Sequence, residues 1–295
     1  MMIQRILLFR NLVENIPKNI GLYSVGILLL VLYRIALETT SMLLGMLAFI
    51  ISYSSVYVLN DIWDIAEDAL DAEKIPRKPL ARGYVDRREA VKLFATLLVI
   101  GLVLSTCLNI LFFGLVCSLI FVNALYSAPL LRNRRIGYSI DETAQKHNSD
   151  GLEYHTSLKY TVLGLPLILI MQFLKILLPW TISSELANFP YFFGLGFSCM
   201  YVVFFKGYKE NKTVGECIKQ APILTLLTAV IFVLSFVVHT EPILQAMILT
   251  YLLAGIAFFW KSRFTDRKVI VLGSIYIIIG VFALLFVMTY FGTLG

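Results

Sequence analysis

Long apolar stretches separated by short polar segments make up most of the chain. Windows near 19–37, 41–59, 90–108, 110–127, 158–180, 189–205, 217–239, 243–260 and 269–292 are each bounded by charge, proline or glycine. A helix needs about 20 mostly apolar residues to cross a bilayer. The pattern therefore predicts an all-α polytopic membrane helical bundle of about nine transmembrane helices. It reads as a single transmembrane domain over residues 1–295, with a polar insertion near 136–157 and no separate soluble domain.

Composition agrees with that reading. Of the 295 residues 59% are hydrophobic and 15% charged, and the mean hydropathy is +0.82, values that exclude an ordinary soluble domain. If nine spans alternate in direction, one face receives every Lys and Arg of the 25 except Arg34 and Lys175. The positive-inside rule places that face, and the N-terminus, in the cytoplasm of a multi-pass protein of the cell membrane. Arg34 and Lys175 fall near span ends, where they are expected to snorkel to the interface. The net charge of +6 is thus accounted for by topology and membrane lipids, without nucleic acid. The four cysteines, Cys107, Cys117, Cys199 and Cys217, lack metal-site or disulfide spacing and read as core residues. The N-terminal segment shows no removable signal peptide, so the first span is expected to direct insertion.

The longest predicted loops, 60–89, 128–157 and 206–216, share the basic face, and the first of them opens with a run of acids. Asn60, Asp61, Asp64, Glu67, Asp68 and Asp71 fall within one helical stripe about 120° wide. Carboxylates stacked in this way repel one another, the more so beside a low-dielectric boundary. Compensation comes either from the basic residues that follow or from a divalent metal. Oxygen ligands of this kind suit Mg2+, which protein carboxylates and substrate phosphates commonly hold together. The plainer alternative is a solvated amphipathic helix salt-bridged to Lys74, Arg77 and Lys78. Downstream, the prolines and glycine of Lys74-Ile75-Pro76-Arg77-Lys78-Pro79-Leu80-Ala81-Arg82-Gly83 stiffen a loop that carries four cations. Alone it reads as a lipid-headgroup contact; beside the acids it suits a diphosphate.

These residues resemble the UbiA superfamily of intramembrane prenyltransferases, which have nine helices and an N-D-x-x-D-x-x-x-D motif at the cytoplasmic end of helix two. Asn60, Asp61, Asp64 and Asp68 match that motif position by position. The stretch Arg77-Lys78-Pro79-Leu80-Ala81-Arg82-Gly83 is similar to the family's following basic segment, with Lys78 where an arginine is usual. Leu125-Tyr126-Ser127-Ala128-Pro129, leading to Arg132, Arg134 and Arg135, is similar to its tyrosine-serine-proline segment after helix four.

The chain departs from the family after helix six, where a second motif, D-x-x-x-D, is expected. Here the loop reads Phe205-Lys206-Gly207-Tyr208-Lys209-Glu210-Asn211-Lys212-Thr213-Val214-Gly215 and holds no aspartate. A second metal would have only Glu210, Asn211 or Glu216. Three readings remain open. Lys206, Lys209 and Lys212 replace the second metal and prenyl transfer survives; the chain belongs to the branch that moves phosphoribosyl onto polyprenyl phosphate, whose loop Lys206-Gly207-Tyr208 with Glu210 resembles; or catalysis is lost and isoprenoid binding is kept. The insertion, with Asp141, Glu142, His147, Asp150, Glu153 and His155, is expected to be a cytoplasmic lid or disordered loop.

What the resemblance implies is a Mg2+-dependent transferase taking an isoprenyl group from a prenyl diphosphate to a lipid-soluble or aromatic acceptor. Asp61, Asp64 and Asp68 would be its catalytic acids, and with Asn60 its metal ligands. Lys78, Arg82, Tyr126, Arg132, Lys206 and Lys212 would bind substrate. Apolar helices would shield the allylic cation from water. A transporter would instead carry ionisable groups in mid-span, where this sequence has almost none.

Overall fold

The computed structural model describes residues 10–33, 35, 38–69, 78–128, 131–132, 155–156, 163–209, 212–238, 250 and 253–263. The chain is an all-α polytopic membrane bundle. Among the described residues the named helices are α1 (Arg10–Leu32), α2 (Thr39–Trp63), α3 (Ile65–Asp68), α4 (Arg87–Thr106), α5 (Ile110–Ser127), α6 (Gly164–Ile182), α7 (Tyr191–Lys209), α8 (Val214–Gln220) and α9 (Pro222–Val238), with further helical turns over 253–258. A two-residue antiparallel ladder, β1 (Leu131–Arg132) with β2 (His155–Thr156), ties the two ends of the predicted insertion together. The insertion's interior and the predicted span 269–292 lie outside the described residues.

Among the described residues four helices, α2, α4, α5 and α6, are long and apolar enough to cross a membrane, or five if α8 and α9 form one broken span. That break corrects the continuous span expected over 217–239: the axis bends by 96° between Gln220 and Pro222. Proline disfavours helical geometry in the residue before it, and Ala221 sits at φ −120°, ψ 54°.

The chain divides into two compact units, Met1–Ile27 with Leu37–Ala187, and Leu28–Ala36 with Asn188–Gly295. In the first, α2 is the central helix, packing on α4, α5 and α6. Hydrophobicity cannot drive one apolar helix onto another within lipid, so close approach through small residues does the work. A Cβ placed on Gly101 of α4 would fall on the Oγ and backbone nitrogen of Ser52 in α2 and lie 2.7 Å from its Cα. Buried hydroxyls in this seam bond to their own helix, Ser52 to the Ala48 carbonyl at 2.7 Å and Ser105 to the Gly101 carbonyl at 2.8 Å. Such internal satisfaction is required where no water is present. Asn109 caps α5 by accepting from the Phe112 amide and donates to the Thr181 carbonyl at 2.9 Å, fixing the start of α5 against the end of α6.

In the second unit α7 and α9 pack through Phe193, Phe197 and Phe232, and Gly196 leaves room for the Phe232 ring. Thr213 and Glu216 form a reciprocal capping box at the start of α8. Gly215 lies against Trp260, whose carbonyl accepts from the Gly215 amide at 2.9 Å.

Two sequence expectations need correction here. Lys175 does not snorkel: it is 0% exposed within α6, because α6 runs on to Ile182 and sets the residue among α1 and α2. Cys107 is exposed at the end of α4, whereas Cys199 and Cys217 are buried as expected and Cys117 is half-buried.

The tight seam yields a stability prediction. Gly101→Val should force α2 and α4 apart and cost about 1–3 kcal/mol as an overpacked contact, read as a lowered Tm in detergent, while Gly114→Val, at a position with open space, should leave Tm nearly unchanged.

Candidate active site at the end of the second helix

The acidic stripe follows directly from the backbone. α2 ends at Trp63, and Asp64 leaves ideal helical geometry at φ −89°, ψ 6°. The ladder nonetheless continues, with the Asp64 amide donating to the Asn60 carbonyl at 2.9 Å and the Asp68 amide to the Asp64 carbonyl at 2.8 Å. Asn60, Asp61, Asp64 and Asp68 therefore stay on one side across the join between α2 and α3.

The structure brings Asp61, Asp68 and Lys78 together. Asp61 is 2% exposed and Asp68 4%, so this is not a solvated amphipathic surface. The Lys78 ammonium donates to Asp61 Oδ1 at 2.5 Å and lies 3.4 Å from Asp68 Oδ2. Burial alone would lower the Lys78 pKa. The Asp61, Asp68 and Asp64 carboxylates outweigh it and hold the ammonium above the ordinary lysine value of 10.5.

Local folding delivers that lysine. Leu80 and Val85 are buried with Val58, Ile62, Ala90 and Leu93, anchoring the basic loop to α2 and α4. Turn bonds from the Arg82 amide to the Lys78 carbonyl (3.1 Å) and from the Tyr84 amide to the Pro79 carbonyl (2.9 Å) close the loop. Gly83 has φ +72°, a left-handed conformation that glycine adopts without steric cost.

Other predicted site residues have different surroundings. Arg82 is exposed and stacks on Tyr84, its Cζ 5.3 Å from the ring centre. Tyr126 is half-buried in the last turn of α5. Arg132 lies in β1, opposite His155. Lys206 falls in the last turns of α7, and Lys212 donates to Gln220 Oε1 at 2.7 Å, both in the second unit. Glu216, a conceivable second-metal ligand, accepts from the Thr213 amide and hydroxyl in the α8 cap. Glu210 and Asn211 lie outside the described residues.

Among the described residues no three acidic, histidine or cysteine side chains converge as a metal site; Lys78 takes up the charge of two acids instead. One atom still asks for a cation or donor. Asn60 Oδ1 is buried and accepts no hydrogen bond among the described residues. Asn60, Asp61, Asp64 and Asp68 offer oxygen donors alone, the donor chemistry that a hard divalent cation takes, although their carboxylates are not gathered about one point.

Sequence reasoning missed a second polar group deep in the first unit: Asn19 of α1, Tyr53 and Tyr57 of α2, Asn123 of α5, and Gln172 and Lys175 of α6. Its one visible signal was a lysine inside an apolar window, which was read as an interfacial residue.

Removing one member of a buried charge cluster strands the others. Lys78→Met should cost about 3 kcal/mol, measured by thermal unfolding in detergent, and Asp61→Asn in the same chain should recover part of that loss. Since the folded-state pKa of Lys78 is raised, its stabilisation is complete below the ordinary lysine range and fades as pH rises through the folded value. Wild-type Tm should therefore fall above about pH 10.5 more steeply than that of the double variant.

The UbiA prenyltransferase family matches residues 21–139, a stretch that holds both the acidic motif and the basic loop. A solved UbiA homolog from Archaeoglobus fulgidus bound to GPP and Mg2+ shares the fold with a TM-score of 0.65 at 15% identity, covering 94% of this chain and 99% of that one. The structure of a UbiA homolog from the same organism bound to DMAPP and Mg2+ gives 0.63 at 15%, covering 95% and 98%. No curated protein matches the sequence. The chain is thus similar to the UbiA prenyltransferase family over residues 21–139 and shares the fold of a solved UbiA homolog along nearly its whole length.

Proposed function

We propose that the chain is a Mg2+-dependent integral-membrane prenyltransferase that moves an isoprenyl group from a prenyl diphosphate to a lipid-soluble or aromatic acceptor. The observation that carries this reading is the buried Asp61–Lys78–Asp68 cluster beside the unsatisfied Asn60 oxygen, set where an apolar helix ends. Solved homologs of the same fold, bound to GPP or DMAPP with Mg2+, support it.

Asn60, Asp61, Asp64 and Asp68 would hold the metal, which when bound supplies positive charge to the diphosphate. Lys78, already seated among the acids, adds a fixed ammonium to the same region. Below it on α2, Tyr57, Tyr53 and Phe49 recur at i−4 intervals, with ring centres 5.4 Å and 5.7 Å apart. This aromatic ladder packs the helix below the acids, and the surrounding helices exclude water from the region where an allylic cation would form. The acidic end faces the cytoplasm, on the evidence of the basic loops that flank it.

The test is turnover of the purified protein in lipid, with labelled geranylgeranyl diphosphate and pooled acceptors, and in parallel phosphoribosyl diphosphate with polyprenyl phosphate. Prenyl product that requires Mg2+ and drops at least about 100-fold in Asp64→Ala is the expected result. Product from phosphoribosyl diphosphate alone would reassign the chain to that transfer. No product from either, with folding intact and Mg2+-dependent diphosphate binding retained, would leave isoprenoid binding as its role.

Asn60 offers a sharper check. An unsatisfied buried oxygen contributes nothing to stability, so Asn60→Leu should leave Tm at or above the wild-type value while raising the Mg2+ concentration for half-maximal turnover about tenfold or more.

A further inference from the structure

The outer side of α4 takes no part in the candidate active site or in helix packing. Arg88, Val91, Lys92, Ala95, Val99 and Val103 are all exposed there. At 100° per residue they fall within one stripe about 120° wide, on the far side from Ala90, Leu93 and Gly101, which are buried. The stripe changes character along its length. Arg88 and Lys92 stand one turn apart at its start, and the members after Lys92 are apolar.

The loop that leads into α4 adds to the charge. Arg82 is exposed, with its Cζ 5.3 Å from the centre of the Tyr84 ring and its Nη1 donating to the Tyr84 hydroxyl at 3.5 Å, and Tyr84 is itself 64% exposed. With Arg87 this end of α4 presents four exposed cations, against the exposed Asp86 and the half-buried Glu89. Depth points the same way. Ala90 and Leu93 pack with Val58 and Ile62 of α2, so the first turns of α4 lie level with Asn60 and Asp61, where α2 leaves its own apolar stretch. The stripe therefore passes from the polar edge of the bilayer into hydrocarbon between Lys92 and Ala95, and runs about 12 Å from Ala95 to Val103. A tyrosine at that edge has the interfacial placement that amphipathic rings favour.

A soluble polyanion would meet the cations and leave the apolar half of the stripe unmatched. A phosphate joined to acyl chains matches both halves, since basic side chains at the membrane surface attract anionic headgroups while the helix below them is already bathed in hydrocarbon. We infer that Arg82, Arg88 and Lys92 form a binding site for an anionic phospholipid, its phosphate held among the cations beside Tyr84 and an acyl chain laid along Ala95, Val99 and Val103. This goes beyond the proposed transfer reaction and does not depend on it. It gives Arg82, expected from the resemblance to bind substrate, to the membrane instead. One short loop then serves two anionic partners, Lys78 meeting the buried carboxylates and Arg82 the lipid outside.

The experiment is native mass spectrometry of the full-length chain in neutral detergent, titrated with phosphatidylglycerol or with phosphatidylcholine of the same acyl chains. Wild-type protein should hold a phosphatidylglycerol about tenfold or more tightly than a phosphatidylcholine, and its Tm should rise with the anionic lipid alone. Combining Arg82→Gln, Arg88→Gln and Lys92→Gln should remove that preference and leave Tm in lipid-free detergent unchanged. A charge-matched variant, Lys219→Gln with Lys261→Gln and Arg263→Gln, removes exposed cations from the second unit and should keep the preference. Equal loss in the two variants would show a diffuse field in place of a site and overturn the inference, as would a wild type that holds both lipids alike. Displacement of the lipid by glycerol 3-phosphate or inorganic phosphate at comparable concentration would show that the cations take a free phosphate, and overturn the lipid assignment. If the triple variant does not fold, Lys92→Gln decides: a preference reduced about fivefold supports the site, and an unchanged one overturns it.

Discussion

The first unit depends on one charge arrangement: two acids that the fold buries at the end of an apolar helix, and a lysine set against both. Asp61 and Asp68 could not both be sequestered as anions without a cation beside them. The loop that brings Lys78 must therefore be as well fixed as the helix it meets. That requirement explains why so polar a segment, Lys78 to Asp86, carries two buried apolar anchors, Leu80 and Val85, and a glycine in a left-handed turn. Packing and electrostatics are here one device, in which the hydrophobic anchors set the lysine and the lysine permits the acids.

The same logic separates the two polar groups of the unit. At the end of α2, charge is compensated by charge, and the remaining Asn60 oxygen lies at the edge of the bundle. Two turns inward, the Lys175 ammonium is met by an amide oxygen and an aromatic ring. α2 contributes to both, since Tyr53, Tyr57, Asn60 and Asp61 recur along one side of it.

Much of this was legible in the sequence because the signals were periodic. Apolar windows gave α2, α4, α5, α6 and α7 to within a few residues, and the 3.6-residue period put Asn60, Asp61, Asp64 and Asp68 on one stripe. The basic loop was visible as composition, but which cation would turn inward was not, since Lys78 differs from Arg82 only in the tertiary anchoring of its neighbours. Lys175 was misread because distance from a helix end does not say which face a residue is on, and this one faces Asn19 and Tyr53 of the neighbouring helices. The break before Pro222 was missed although Lys219, Gln220 and Pro222 mark it, because the apolar run that follows set the window and hydropathy is blind to backbone dihedrals. Gln172 and Asn123 gave no signal at all: the partners of Asn123 lie 48 and 70 residues away in sequence, and Gln172 is buried on a helix whose pattern is apolar.

The unbroken ladder through Asp64 has a further consequence, for how this motif can vary. Asn60, Asp64 and Asp68 hang from consecutive turns of one backbone, joined carbonyl to amide, so helical pitch rather than tertiary contact sets their spacing. Inserting or deleting a single residue anywhere between them would swing every later member by about 100° and scatter the set, whereas side-chain exchanges on the opposite face would pass unnoticed. The segment is thus free in letters and rigid in length, which is why a pattern of spaced positions, rather than any overall identity, is what distant members of such a group would share.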